Sequence, residues 1–224
     1  MSKVITAGQL SSAARRRVLQ QMAVGVVGGF SGVLQQALAA DLAAGGAEGI
    51  RSVSGGTVYV DGAPAAVGTP VREGSVVVTP AGSAATYVVG RDAFLQRSGT
   101  HVEIGRGVAA VFRVVTGALM GTFTPGSRRT VATRVVTAGI RGTGCYVEAE
   151  IHRTYFCLCY GSVELTPING TMRSYSTQHH DSPYWIDADG RVTQARMLNH
   201  EDAELSLLES LIGRKVPFTE PYTR

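Results

Sequence analysis

Short runs of alternating apolar and polar residues, rich in valine and threonine, recur from Ser52 to about Tyr175 and are separated by turns. Successive side chains of a β-strand point to opposite faces, so a period of two predicts strands with one buried face. The chain also holds 28 glycines, which supply the positive φ angles of tight turns. The pattern predicts an all-β fold, either an antiparallel sandwich or a rolled β-sheet.

The strongest turn signal is Asp61-Gly62, which lies between the strand candidates Thr57–Val60 and Ala63–Val67. An Asp-Gly pair flanked by two strands is typical of a type I′ hairpin. Near the other end of the sequence the period changes, and Asn199 stands where it would cap a helix that closes at Gly213. The apolar residues of this segment share one helical face: Leu205, Leu208, Leu211 and Ile212. We therefore expect one C-terminal α-helix packed on the sheet.

The N-terminal residues have the order of a signal peptide. Arg15, Arg16 and Arg17 precede an apolar, glycine-rich stretch of about 13 residues, whereas a membrane-spanning helix needs about 20. Ala37-Leu38-Ala39 offers small residues for cleavage after Ala39. The arginines and the following Val18-Leu19-Gln20 resemble a twin-arginine signal. We expect export to the periplasm, the alternative being an uncleaved segment that anchors the protein in the membrane.

The net positive charge of the chain comes entirely from this N-terminal segment. The net charge is +4, and residues 1–39 hold Lys3 and the three arginines but no acidic residue. The remaining residues then carry 17 basic and 17 acidic side chains. A neutral domain lacks the basic surface that binds phosphates, so nucleic acid is excluded as the main partner. The expected organisation is a signal segment at residues 1–39, a linker at 40–51, a β domain at 52–190, and a helix and tail at 191–224.

A series of motifs between Thr69 and Leu165 resembles the FecR protein domain. The most recognisable is Ile140-Arg141-Gly142-Thr143-Gly144, which contains the family signature Arg141, Gly142, Thr143 and Gly144. The others, in chain order, are Gly68–Ser75, Val77–Ala84, Val114–Leu119, Val131–Thr133 and Tyr160–Leu165. Physically, the signature between two valine-rich strands predicts a bend or bulge that requires glycine. Arg141 is expected to brace a carbonyl or carboxylate group, with a bound anion as the alternative.

The resemblance implies a FecR-like fold and a non-enzymatic, periplasmic sensory or regulatory module that binds a partner protein of the envelope. Well-studied members of the family also carry a cytoplasmic helical domain, which acts on a sigma factor. About 14 residues precede the arginines here, too few for such a domain. Only the envelope part of the family role is therefore expected, and a structural β-scaffold of the envelope is an alternative.

All three cysteines, Cys145, Cys157 and Cys159, lie on two strand candidates joined by a turn near Ile151-His152. Cys157 and Cys159 share a face, and a tight hairpin is expected to bring Cys145 close to them. Three interpretations follow. Cys145 forms a disulfide with Cys157 or Cys159; the thiolates bind zinc or copper with His179 or His180; or the thiols are simply buried. The other histidines near this region, His152 and His200, are isolated in the sequence.

No catalytic signature surrounds any of these residues. The cysteines lack a nucleophile-elbow or protease motif, and the sequence shows no phosphate-binding loop. We therefore expect no enzymatic activity and no cofactor beyond the zinc or copper of the second interpretation. A periplasmic metal or redox protein that uses the cysteine cluster is the main alternative to the FecR-like module.

Overall fold

The computed structural model describes residues 48–107, 111–220 and 222. The predicted signal segment, with Arg15, Arg16 and Arg17, lies outside these residues. The strands are β1 (Gly49–Ser54), β2 (Val58–Val60), β3 (Ala63–Ala65), β4 (Val76–Thr79), β5 (Ala84–Val89), β6 (Asp92–Gln96), β7 (Thr100–Ile104), β8 (Val111–Thr122), β9 (Arg129–Ala132), β10 (Val136–Ala149), β11 (Arg153–Pro167), β12 (Arg173–Thr177), β13 (Ser182–Asp187) and β14 (Val192–Gln194). The helix is α1 (Asp202–Leu211).

The strands join in one hydrogen-bonded network with the main order β14-β13-β11-β10-β9-β8-β7-β4-β2-β3. The remaining strands attach to this path: β6 pairs with β8, β5 with β6 and β1, and β12 with β11. Among the described residues every pairing is antiparallel except β8–β9. The predicted all-β fold with one C-terminal helix is confirmed. One boundary was wrong, since β1 begins at Gly49, within the predicted linker.

The three longest strands bend and change partners along their length. β8 pairs with β7 near its start and with β6 near its end, and β11 likewise passes from β13 to β12. Each bend contains a glycine with positive φ: Gly117 in β8, Gly142 in β10 and Gly161 in β11. Some turns expected from the sequence are therefore bends within continuous strands, which roll the sheet around its core.

The core of the roll contains an aromatic cluster centred on Phe94, which is fully buried. Its ring centroid lies 4.6 Å from that of Phe112, 5.3 Å from Tyr87 and 5.5 Å from Phe123. Tyr87 lies in β5, Phe94 in β6, Phe112 near the start of β8 and Phe123 directly after its end. Their packing therefore fixes the relative positions of these three strands.

The Asp61-Gly62 turn has the geometry that the sequence predicted. Asp61 and Gly62 have φ angles of 52° and 80°, and Val60 pairs with Ala63 across the turn. Two consecutive positive φ angles define the type I′ turn. The predicted hairpin is confirmed.

The segment Arg141-Gly142-Thr143-Gly144 is a β-bulge, also as predicted. The register between β10 and β11 shifts between Arg141 and Gly144, and Gly142 has a φ of 63°. A Cβ atom at Gly142 would lie 2.6 Å from the Cα of Pro125, which belongs to the loop between β8 and β9. This loop and the bulge therefore approach too closely for any side chain at position 142. Arg141 Nη2 donates to Glu164 Oε1 at 2.6 Å, which confirms that Arg141 braces a carboxylate.

The helix packs its leucines against β6 and β8, and Gly213 follows it with a φ of 71°, as expected. The predicted cap at Asn199 was wrong. The N-cap is Glu201, whose backbone N–H donates to Glu204 Oε2 at 2.8 Å. Asn199 instead adopts a left-handed conformation and donates to Glu148 Oε1, because the chain turns once more before the helix begins. This helix, the single one in the described part of the chain, is not long and apolar enough to cross a bilayer.

Candidate metal centre

Two cysteines and two histidines meet beside the start of the C-terminal helix: Cys157, Cys159, His180 and His200. Each offers one ligand atom, and the four atoms lie within 4.8 Å of one another. All four residues are buried, with exposures of 0 or 1%. We call this group the Cys₂His₂ cluster. Cysteine and histidine rarely converge in a dry interior unless the group has a structural or ligand-binding role.

The two cysteines reach the cluster because of strand alternation. Cys157 and Cys159 lie on β11 with Leu158 between them. Leu158 belongs to the hydrophobic core of the roll, so the two cysteines point to the other face of β11. On that face they are covered by the segment that leads to α1.

His180 lies in the tight turn between β12 and β13. Asp181 shapes this turn, because its carboxylate accepts from the Thr177 hydroxyl at 2.5 Å and from the Gln178 N–H at 3.2 Å. The His180 N–H donates to the Cys159 carbonyl at 2.9 Å, which fastens the turn to β11. His180 has a φ of 54°, a conformation that non-glycine residues seldom adopt outside special sites.

His200 lies in the loop that precedes α1. Its ring stacks on Tyr146, with centroids 4.5 Å apart. The Tyr155 hydroxyl holds the loop by accepting from the Leu198 N–H at 3.1 Å and donating to the Arg196 carbonyl at 3.0 Å. Tyr155 lies on β11, which carries the two cysteines, and Tyr146 lies on the neighbouring strand β10, so the sheet itself positions the His200 ring.

Hydrogen bonds to groups outside the cluster fix the proton on each histidine. His180 Nε2 lies 3.0 Å from Asp202 Oδ1, and His200 Nδ1 lies 2.5 Å from the Leu198 carbonyl oxygen. A carboxylate and a carbonyl oxygen only accept, so each of these nitrogens must donate. In the neutral rings, the other two nitrogens, His180 Nδ1 and His200 Nε2, therefore carry lone pairs. These two nitrogens face each other at 3.2 Å.

Two separations between ligand atoms of the cluster match those around a tetrahedral ion. Zinc–nitrogen bonds of about 2.0–2.1 Å and zinc–sulfur bonds of about 2.3 Å give nitrogen–nitrogen edges of about 3.3 Å and nitrogen–sulfur edges of about 3.5–3.6 Å. In the cluster, the two facing nitrogens are 3.2 Å apart and Cys157 Sγ lies 3.5 Å from His180 Nδ1. An ion between them would need little movement of these three atoms.

The electrostatics favour a thiolate at Cys157. A hydrogen bond from Cys159 lowers the pKa of Cys157 well below its usual range, against the opposing effect of burial. When no ion is bound, His180 and His200 lower it further by donating to the sulfur in their protonated forms. Burial opposes protonation of His180, but the contacts with Cys157 and Asp202 outweigh it and raise the pKa of His180. Burial raises the pKa of Cys159. The cluster thus concentrates negative charge on Cys157, as a metal ligand requires.

Asp202, the first residue of α1, supports the cluster from outside. Its Oδ1 atom accepts from His180 Nε2 and lies 2.9 Å from His179 Nε2, while its Oδ2 atom accepts from the Tyr222 N–H at 2.8 Å. A carboxylate behind a metal-binding histidine fixes the ring and strengthens its lone pair.

The structure brings together part of the predicted site. Cys157, Cys159 and His180 meet as the metal interpretation required, whereas His179 lies outside the cluster on Asp202. The expected position of Cys145 was wrong. Cys145 pairs with Leu158 and Tyr146 pairs with Cys157, so Cys145 faces the core of the roll.

The same register rules out the predicted disulfide geometry. Cys145 and its two proposed partners point to opposite faces of the sheet, and all three cysteines are free thiols. Sequence reasoning missed His200, which it described as isolated. A weak signal was available, since His200 directly precedes the helix whose apolar face must cover the sheet.

Comparison with known proteins gives a weak likeness. No family model and no curated protein matches the sequence. Two crystal structures of a candidate anti-sigma factor from Parabacteroides distasonis ATCC 8503 are similar in fold. One aligns with a TM-score of 0.47 and 12% identity over 54% of this chain and 59% of that chain. The other aligns with a TM-score of 0.49 and 13% identity over 58% and 64%. This chain therefore spans less than two thirds of either.

Proposed function

We propose that this protein is a non-enzymatic, exported regulatory module of the cell envelope that carries a zinc ion on Cys157, Cys159, His180 and His200. The main evidence for the zinc site is that hydrogen-bond acceptors converge in the Cys₂His₂ cluster. Two ring lone pairs face each other at 3.2 Å beside a sulfur atom. Such a group repels itself unless a proton or a cation lies within it. A tetrahedral cation satisfies all of its members at once.

Zinc suits this donor set better than other common ions. Two thiolates and two imidazoles in a tetrahedral arrangement form the usual ligand set of structural zinc sites. Copper(I) also accepts thiolate ligands, but the supporting carboxylate of Asp202 and the four-coordinate geometry favour zinc. Copper is therefore the alternative outcome of the metal analysis described below.

The geometry supports a structural ion rather than a catalytic one. Catalytic zinc sites keep one coordination position open for water or substrate. Here four protein ligands would complete the tetrahedron, and all four are buried. The ion would join β11, the β12–β13 turn and the loop before α1, and so close the helix onto the sheet.

The regulatory and envelope parts of the proposal rest on the sequence and on one structural detail. The FecR-like motifs run in order from Thr69 to Leu165, and their signature forms the glycine-dependent bulge that the sequence predicted. The basic and apolar N-terminal pattern supports export to the periplasm. A protein of the envelope is the partner that these features favour.

Metal analysis of the purified protein tests the zinc site. We expect one zinc ion per chain, and tetrahedral visible bands with thiolate-to-metal charge transfer when cobalt(II) replaces it. The C157S and C159S variants should lose the ion, because each removes one sulfur ligand. C145S is the matched control, since Cys145 is equally buried but lies on the other face of the sheet. It should keep full metal content. Wild-type protein without stoichiometric metal, reconstituted or native, would contradict the site.

A second experiment tests export. Replacing Arg15 and Arg16 with lysine is expected to leave the uncleaved precursor in the cytoplasm, because the twin-arginine route depends on that pair. Cell fractionation followed by immunoblotting measures the change, and Lys3→Arg serves as a charge-preserving control. Normal export of the double variant would show that the twin-arginine assignment is incorrect.

A further inference from the structure

A second pair of ligand atoms lies directly outside the Cys₂His₂ cluster. His179 Nε2 lies 2.9 Å from Asp202 Oδ1, and His179, His180 and Asp202 together place their ligand atoms within 4.8 Å. The side chains of His179 and Asp202 are 18% and 21% exposed, whereas that of His180 is fully buried. The exposed fraction therefore falls from the side chains of His179 and Asp202 to that of His180, which lies in the buried cluster.

A cavity of about 630 Å³ opens beside His179. His179 forms part of its wall, with Tyr160, Gln178, Glu209 and Phe218 around it. Phe218 stacks on the His179 ring with centroids 3.9 Å apart, which holds the imidazole at the cavity wall. Solvent in the cavity can thus reach His179, while the Cys₂His₂ cluster lies behind it.

His180 connects the two groups. Its Nδ1 atom faces Cys157 and His200, and its Nε2 atom faces Asp202. Within the described residues it is the member common to both sets of ligand atoms. An ion held by Asp202 is therefore one side chain away from the buried sulfur atoms.

We infer that His179, at the cavity wall, and its partner Asp202 form an outer zinc site, through which the ion enters and leaves the Cys₂His₂ cluster. The inference rests on the zinc site proposed above and adds a route to it.

The donor atoms of the outer pair suit a transient site. Zinc binds both imidazole nitrogen and carboxylate oxygen. A neutral imidazole carries its proton on either nitrogen, so His179 can move that proton to Nδ1 and present Nε2 to the ion. Two protein ligands hold zinc weakly, with water completing the shell. The inner group offers four ligands, two of them sulfur, so the ion moves inward and the remaining thiol protons leave to water.

The Asp202 carboxylate is oriented for this role. Oδ2 is occupied by the Tyr222 N–H at 2.8 Å, which directs Oδ1 towards both histidines. The Tyr222 ring also lies 5.5 Å from His179 and 5.3 Å from His180, measured between centroids. The backbone therefore fixes the carboxylate between the outer and the inner group.

Kinetics of zinc exchange test the route. Zinc-free protein is mixed with zinc in a stopped-flow instrument, release is followed with an excess of a chromophoric chelator, and the affinity is measured separately by competition. His179→Gln keeps a donor to Asp202 but removes the imidazole ligand. We expect it to slow uptake about tenfold, because one of the two ligands of the outer site is lost; a tenfold change corresponds to about 1.4 kcal/mol in the barrier. Because an entry site does not change the end states, release should slow by the same factor and the affinity should stay unchanged.

His152→Gln is the control, since His152 is exposed and belongs to neither group. It should exchange zinc at the wild-type rate. Unchanged rates in His179→Gln would overturn the entry site while leaving the zinc site intact. A lower affinity with unchanged uptake would also overturn it, because His179 would then only support the cluster. Failure of the wild-type protein to bind zinc would instead refute the proposed function itself.

Discussion

Removal of zinc is expected to lower the free energy of unfolding by about 4 kcal/mol, relative to protein kept with free zinc at about 1,000 times its dissociation constant. The proposed ion would bind the folded Cys₂His₂ cluster and would have no preformed site in the unfolded chain, so its binding energy would become folding energy. Urea unfolding with zinc present and with a chelator measures the difference. Thermal unfolding should likewise give a higher Tm with zinc than with the chelator.

The control for this prediction is C157S, which should unfold at the same urea concentration with and without the chelator. Hydrogen exchange adds a regional test. Without zinc, protection should fall first in α1 and in the loop that carries His200, since the ion joins these to β11. Identical unfolding of wild-type protein in the two conditions would contradict the structural role of the ion.

Phe94→Ala is expected to destabilise the protein by about 3–5 kcal/mol, because it removes a fully buried ring and leaves a cavity. The loss should be near the upper end of this range, since three other aromatic rings contact Phe94 and would all face the cavity that its removal leaves. Denaturant unfolding monitored by circular dichroism gives the value.

Ile151→Ala provides the comparison for the core substitution. Ile151 is a large aliphatic residue in the turn between β10 and β11, and it is 69% exposed. Its truncation should change the free energy of unfolding by less than about 0.5 kcal/mol. A similar small effect for Phe94→Ala would show that the aromatic cluster is not the main packing centre of the roll.

Local sequence patterns predicted those parts of the fold that are determined by residues close together in the chain. Asp61-Gly62 predicted its hairpin because both positions need positive φ, and Gly142 predicted the bulge for the same reason. The helix was found from its leucines, but its start was placed at Asn199 rather than Glu201. Several side chains in that segment could serve as a cap, and tertiary contacts of Asn199 decided between them.

The candidate site was only partly predictable because it depends on register. The residue pairing opposite Cys145 could have been 157, 158 or 159, and the two-residue turn at Ile151-His152 selects Leu158. A shift of one position moves a side chain to the opposite face, which removed Cys145 from the cluster. His200 enters through the docking of α1, a contact between segments about 40 residues apart that no local pattern encodes.

The spacing of the cluster along the chain sets the order in which the molecule can be completed. Its ligands come from β11, from the turn after β12 and from the loop before α1. An ion can thus be fully enclosed only after β11 has been paired, the turn has closed and the last helix has docked. A fully enclosed ion would therefore indicate that the chain has folded completely. It would distinguish such molecules from those in which α1 has not yet docked.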